Sequence, residues 1–141
     1  MGVNCERISY PKSSIGIVNN SNHDVHFYFA LGGNNGIMYP DTVLSASLDP
    51  PFPVAKAGEI GFRDFGFSEE EIFKGIPSDT LSIYIFHPDT LAKYNWEKVV
   101  EEYMILNRYD VSFGDLKRLT WQVYYPPNNR MEDIKIYPEQ K

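Results

Sequence analysis

The chain has 141 residues, enough for one domain with a single core, and its 43% hydrophobic content is that of a globular domain rather than a disordered chain. A net charge of −6 without any block of Lys or Arg excludes nucleic acid and anionic membrane surfaces as partners. The one cysteine, Cys5, excludes an intrachain disulfide and a cysteine-based zinc site, and no apolar run reaches the roughly 18 residues of a transmembrane segment.

Aromatic residues make up 15% of the chain, which favours pleated, half-buried surfaces and a β-rich class. Residues 1–14 are polar, broken by Pro11, and lack the apolar core of a signal peptide. They are expected to form a mobile arm ahead of one globular domain over residues 15–141. Ile15-Gly16-Ile17-Val18 reads as a short strand, closed by the turn-forming cluster Asn19-Asn20-Ser21-Asn22. In residues 25–31, Val25, Phe27, Phe29 and Leu31 alternate with His26, Tyr28 and Ala30, a clear half-buried strand.

Gly32-Gly33-Asn34-Asn35-Gly36 ends that strand as a loop. It does not open a helix, so it lacks the context of a phosphate cradle. Pro40, Pro50, Pro51 and Pro53 keep the next segment irregular, along an edge or surface. One more strand is expected around Glu59-Ile60-Gly61-Phe62-Arg63. Ser68 and Glu71 have capping-box spacing, and Phe67 with Ile72 forms a hydrophobic staple, so a helix of barely two turns follows before Gly75.

The domain is organised around residues 80–127. Leu81-Ser82-Ile83-Tyr84-Ile85-Phe86 and Leu119-Thr120-Trp121-Gln122-Val123-Tyr124-Tyr125 read as two strands, each stopped by proline. Between them, Asn95 is a candidate N-cap, and Trp96, Val99, Val100, Tyr103 and Met104 form one apolar helical stripe. Ser112 caps a second short helix. Asp133-Ile134-Lys135-Ile136-Tyr137 reads as a last edge strand. The fold class is therefore α+β and β-rich: a small antiparallel β-sandwich-like domain with a short helical insertion (about 89–118) between two strands.

Several phrases resemble those of a family of unknown function, the uncharacterised secreted or lipid-anchored proteins of Bacteroides-type gut bacteria. They are Val18-Asn19-Asn20-Ser21 with Val25-His26-Phe27-Tyr28-Phe29, Tyr39-Pro40-Asp41-Thr42, Asp79-Thr80-Leu81-Ser82-Ile83-Tyr84-Ile85-Phe86 and Asp89-Thr90-Leu91. Asn107-Arg108-Tyr109-Asp110 continues the likeness through Asp115-Leu116-Lys117 to Trp121 and Tyr125-Pro126-Pro127. The resemblance carries no catalytic motif. It implies export and a lipid anchor on an N-terminal cysteine, for which Cys5 is the candidate, although Met1-Gly2-Val3-Asn4-Cys5 is not a lipobox.

Two constellations are candidates for a site. His23, Asp24 and His26, with His87 and Asp89 at the end of another strand, are ligand types for zinc and similar ions if both strand ends share a pole. Tyr28, Tyr84, Trp121 and Tyr124 are strand aromatics whose outward faces would stack on a sugar ring or receive a peptide, unless the helix covers them. No Gly-x-Ser-x-Gly elbow is present, and no cofactor is expected. The favoured function is a non-enzymatic extracytoplasmic binding or structural module at the bacterial cell surface, with protein or carbohydrate as partner. The alternatives are a metal-dependent enzyme or metal-binding protein using the His/Asp cluster, and an intracellular protein-interaction domain. The expected location is the periplasm or outer-membrane surface if a leader precedes residue 1, and the cytoplasm otherwise.

Overall fold

Strand β5, Thr80–Phe86, is apolar on both faces, and both faces are covered. The computed structural model describes residues 14–31, 38–48, 50–64, 69–74, 76 and 79–138. The N-terminal arm with Cys5, the loop 32–36 and the residues Phe67 and Ser68 lie outside them. In chain order the elements are β1 Ser14–Asn19, β2 Val25–Ala30, β3 Val54–Ala55, β4 Ile60–Asp64, α1 Glu69–Lys74 and β5. They continue with α2 Pro88–Lys93, α3 Trp96–Glu102, β6 Asn107–Ser112, α4 Phe113–Arg118, β7 Gln122–Tyr125 and β8 Lys135–Tyr137, the last preceded by a 3-10 turn at Asn129–Met131.

Among the described residues the strands form a three-stranded sheet, β4-β1-β7, and a five-stranded sheet, β3-β2-β5-β6-β8. All neighbours pair antiparallel except β1 and β7, which run parallel. The β-rich α+β sandwich expected from the sequence is therefore the fold. Its inner core comes from one face of each sheet: Ile15 and Ile17, Val123, Phe27 and Phe29, Ile83 and Ile85, Tyr109 and Val111. Period-two alternation puts these residues on one side of their strands. The Tyr109 hydroxyl donates to the Tyr124 carbonyl at 2.8 Å and ties the two sheets together.

A third layer covers the other face of the large sheet. Tyr84 and Phe86 on β5 and Ala30 on β2 pack with Leu44, Leu48 and Phe52 from the proline-rich segment and with Val99 from α3. The residues of the expected stripe pack here, Trp96, Val100, Tyr103 and Met104 all meeting this cluster, but the helix ends at Glu102: Tyr103 is its left-handed cap (φ 53°) and Met104 lies beyond it. Asn95 caps α3 as expected, its side chain accepting from the Lys98 N–H at 2.9 Å. The Trp96 indole N–H donates to the Ser45 carbonyl at 3.0 Å.

The 89–118 region holds helices, and it also holds β6. The neighbour of β5 in its sheet is β6, while β7 crosses to the other sheet. The second strand of the pair starts at Gln122 rather than Leu119, because Thr120 and Trp121 both have positive φ, 54° and 65°. Those left-handed residues end α4, with the Trp121 N–H donating to the Leu116 carbonyl at 2.8 Å. Ser112 caps α4 in a reciprocal box with Asp115. Helix α2 adds to the elements expected from the sequence; its signals are a His87 cap and Pro88 in the first turn, where the missing N–H costs nothing.

The two sheets are joined at a corner built on Asn19, which is fully buried. Its amide donates to the carbonyls of His23 at 2.8 Å and Ala55 at 2.9 Å, and its side-chain oxygen accepts from the Ser21 N–H at 3.0 Å and hydroxyl at 2.7 Å. One side chain thus fixes the β1–β2 turn and the β3 crossing, with its hydrogen-bonding capacity filled.

Candidate functional site

The predicted histidine pole exists, but it is not a ligand cage. Antiparallel pairing of β2 with β5 sets His26 opposite Phe86, so the start of one strand meets the end of the other. The rings of His23 and His87 stack with centroids 4.5 Å apart, and Tyr125 meets His23 edge-on at 6.0 Å. The other ring contacts pull the cluster apart. His23 Nδ1 lies 2.9 Å from the Asp24 carbonyl, which can only accept, so that nitrogen carries the proton. His87 Nδ1 accepts from the Asp89 N–H at 3.0 Å, so its neutral ring carries the proton on Nε2. Metal on that Nε2 would force the proton to Nδ1 and break the α2 cap.

His26 Nδ1 bonds the Phe52 carbonyl at 3.0 Å, and Asp24 accepts from the Ala57 N–H at 3.0 Å. The Asp89 side chain is 93% exposed and 3.9 Å from His87 Nδ1. Among the described residues no three His, Cys, Asp or Glu come together to hold a metal ion. Of the five predicted ligands, His23 and His87 stack on one another, Asp24 and His26 are bonded to backbone groups elsewhere, and the Asp89 carboxylate is exposed beside His87.

The aromatic row has a different fate. Register aligns Tyr28, Tyr84, Arg108 and Tyr137 across β2, β5, β6 and β8 on the same face. That face is the one under the third layer, so Tyr84 is fully buried and Tyr28 is half-buried, 5.6 Å from Phe52. Trp121 is not on a strand at all. It packs against Phe113 at 5.6 Å and Phe73 at 6.4 Å, on the rim of the inner core. Tyr124 is half-buried, and its hydroxyl accepts from Arg130 at 3.2 Å. The four aromatics do not form one exposed surface. Tyr137, at the end of the register row, is 44% exposed.

A buried polar network lies between. Arg108 and Asp110, two residues apart on β6, share its outer face; they are 7% and 6% exposed. Arg108 Nε donates to Asp110 Oδ1 at 3.1 Å, and Ser82 donates to the same oxygen at 2.7 Å. Arg108 also donates to the Tyr103 hydroxyl at 2.7 Å, which donates onward to the Thr42 carbonyl at 2.5 Å. Burial lowers the Arg108 pKa, but the bonds to Tyr103 and Asp110 outweigh it and leave the guanidinium above its ordinary range. A buried ion pair is tolerated when its hydrogen bonds are filled, as here. The exception is the Tyr84 hydroxyl, buried beside Tyr103, Arg108 and Asp110 with no well-formed hydrogen bond among the described residues. Burial pushes that phenol far above its ordinary value, with Tyr103 adding to the effect and Arg108 opposing it.

Beside the network runs an open cleft of about 580 Å³ along the outer edge of β8, with the Pro127–Met131 segment as its opposite wall. Arg108, Tyr137, Asn128, Asn129, Glu132 and Lys135 are among its lining residues. The Arg108 guanidinium sits 5.1 Å from the Tyr137 ring centre, and Tyr103 meets that ring edge-on at 5.5 Å. A second cavity, about 280 Å³, lies near β2 between Tyr28, Leu48, Phe52 and Arg63.

The larger cleft escapes a reading of the sequence. Its walls join Arg108 to Tyr137, 29 positions apart, and its turn residues read only as a turn. The one usable signal was Tyr109 and Val111 alternating with Arg108 and Asp110, a strand pattern hidden by its charges. No protein-family model, curated protein or solved structure matches the chain.

Proposed function

We propose that the protein is a non-enzymatic binding module whose recognition surface is the cleft along β8. We further propose that it works outside the cytoplasm, at the cell surface, a reading that rests only on the resemblance of its phrasing to exported proteins. The observation that carries the binding reading is the contrast between the cleft and the rest of the polar interior. Arg108, Asp110, Ser82 and Tyr103 are committed to one another. The side chains of Asn129, Glu132 and Lys135 have no hydrogen-bond partner among the described residues, and all three line an open volume beside an exposed ring. Concave sites that combine apolar surface with a few placed polar groups are the usual form of a ligand site. The cleft volume falls within the range of such sites.

Native mass spectrometry with mixed oligosaccharides and short peptides tests this reading. The expected result is a one-to-one complex whose ligand is recovered with its mass unchanged, and whose population falls in the Asn129→Ala/Lys135→Ala double variant. Recovery of ligand with a changed mass, or complexes indifferent to that double variant, would overturn it.

A further inference from the structure

We infer that the cleft along β8 takes a saccharide, with the Tyr137 ring as the stacking platform; this deepens the binding-module reading and rests on it. A sugar presents a C–H face flanked by hydroxyls. Its complement is a flat ring held rigidly, with neutral and charged hydrogen-bonding groups around the rim. Tyr137 supplies the ring. It is backed by the Arg108 guanidinium at 5.1 Å and buttressed by the Tyr103 edge at 5.5 Å, and 44% of its surface still faces solvent. Arg108 is itself immobilised by Asp110 and Tyr103, so the platform is set before any ligand arrives.

The rim groups supply both hydrogen-bonding senses. Asn128 spends its side-chain oxygen on the Arg130 N–H at 3.0 Å, which orients its amide N–H groups as free donors. Asn129 offers donor and acceptor, Lys135 donates and Glu132 accepts. With Arg108 paired to Asp110, and Glu132 offsetting Lys135, the cleft holds no uncompensated charge, which suits hydroxyls better than a phosphate or a basic peptide. Strand addition by a peptide is disfavoured by the geometry of β8. It is three residues long and is followed directly by Pro138, which has no N–H to pair.

The test is an oligosaccharide microarray, run beside a phage-displayed peptide library, on the wild type, Tyr137→Ala and Tyr137→Trp. A saccharide retained by the wild type and by Tyr137→Trp, and weakened about tenfold or more in Tyr137→Ala, supports the inference. Circular dichroism and thermal melting of each variant separate loss of binding from loss of fold. Capture of peptides but no saccharide, through Asn129 and Lys135, overturns the saccharide inference and leaves the binding module standing. Saccharide binding equal in Tyr137→Ala and wild type also overturns it. Retention of neither class overturns both.

Discussion

Gly61→Ala is expected to destabilise the protein while Gly16→Ala, on the neighbouring strand β1 opposite Phe62, is nearly neutral. Gly61 lies on β4 where the backbone of β3 crosses it. A methyl group there would sit 2.8 Å from the Ala55 Cα, 2.8 Å from the Val54 oxygen and 2.9 Å from the Ala55 Cβ. That is about 0.6 Å short of ordinary contact, and the obstruction is backbone. Ala55 cannot yield freely, because its carbonyl accepts from the buried Asn19 amide at 2.9 Å.

Overpacking of this kind costs about 1–3 kcal/mol. The reduced freedom of the unfolded chain returns about 0.4–1 kcal/mol. The expected net loss is roughly 1–2 kcal/mol. At Gly16 the obstructions are the Phe62 ring at 2.9 Å and an Ile60 methyl at 3.1 Å. Those side chains are 45% and 42% exposed and are free to swing outward, so the net change stays within about 0.5 kcal/mol. Urea unfolding followed by tryptophan fluorescence, with m held constant, measures both. Equal losses in the two variants, or a Gly61→Ala midpoint matching wild type, would refute the crossing of β3 over β4 as the tight point of the corner.

Other outcomes follow from the same structure. Tyr84→Phe removes a buried hydroxyl with no well-formed hydrogen bond among the described residues, so it is expected to stabilise the protein by about 1 kcal/mol in urea titrations; a loss of that size would show the hydroxyl to be bonded, with Tyr103 as its partner. Trp96→Ala is expected to cost about 3 kcal/mol, because the indole packs on Phe52 at 5.4 Å and Phe86 at 5.8 Å; a loss under 1 kcal/mol would mean that the α3 stripe is not core. Alkaline pH is expected to unfold the chain through Tyr84 and Tyr109, whose phenols burial holds above their ordinary 10.0. Both states keep these protons below pH 10, so the stabilisation is complete there. Above it only the unfolded chain releases them, and stability falls by about 1.4 kcal/mol per pH unit for each group. Urea midpoints that stay flat from pH 10 to about 11.5 would contradict this.

What the sequence revealed and concealed follows one physical rule: patterns local in the chain are legible, and appositions between distant segments are not. Alternation in β2, the apolar run of β5 and the Asn95-capped stripe of α3 each depend on neighbouring residues, and each is present. Strand β6 was hidden because Arg108 and Asp110 look like surface residues. They are buried only because Ser82, Tyr103 and Tyr137 arrive from elsewhere in the chain. The shift of β7 from Leu119 to Gln122 came from two left-handed residues, Thr120 and Trp121, neither of them glycine. At the histidine pole the juxtaposition of His23 and His87 was foreseeable from antiparallel pairing. The hydrogen bonds that fix their tautomers were not, since a backbone carbonyl and an N–H decide them. Alternation puts Tyr28 and Tyr84 on the outer face of β2 and β5, and the α3 stripe that is legible in the sequence packs over that face.

The most direct measurement is a map of backbone amide shifts as the oligosaccharide selected on the array is titrated into the labelled protein. Perturbations confined to Arg108, Asn128, Asn129, Lys135 and Tyr137, with His23 and His87 silent, are predicted. Shifts centred on His23 and His87, with the β8 cleft unmoved, would contradict the account.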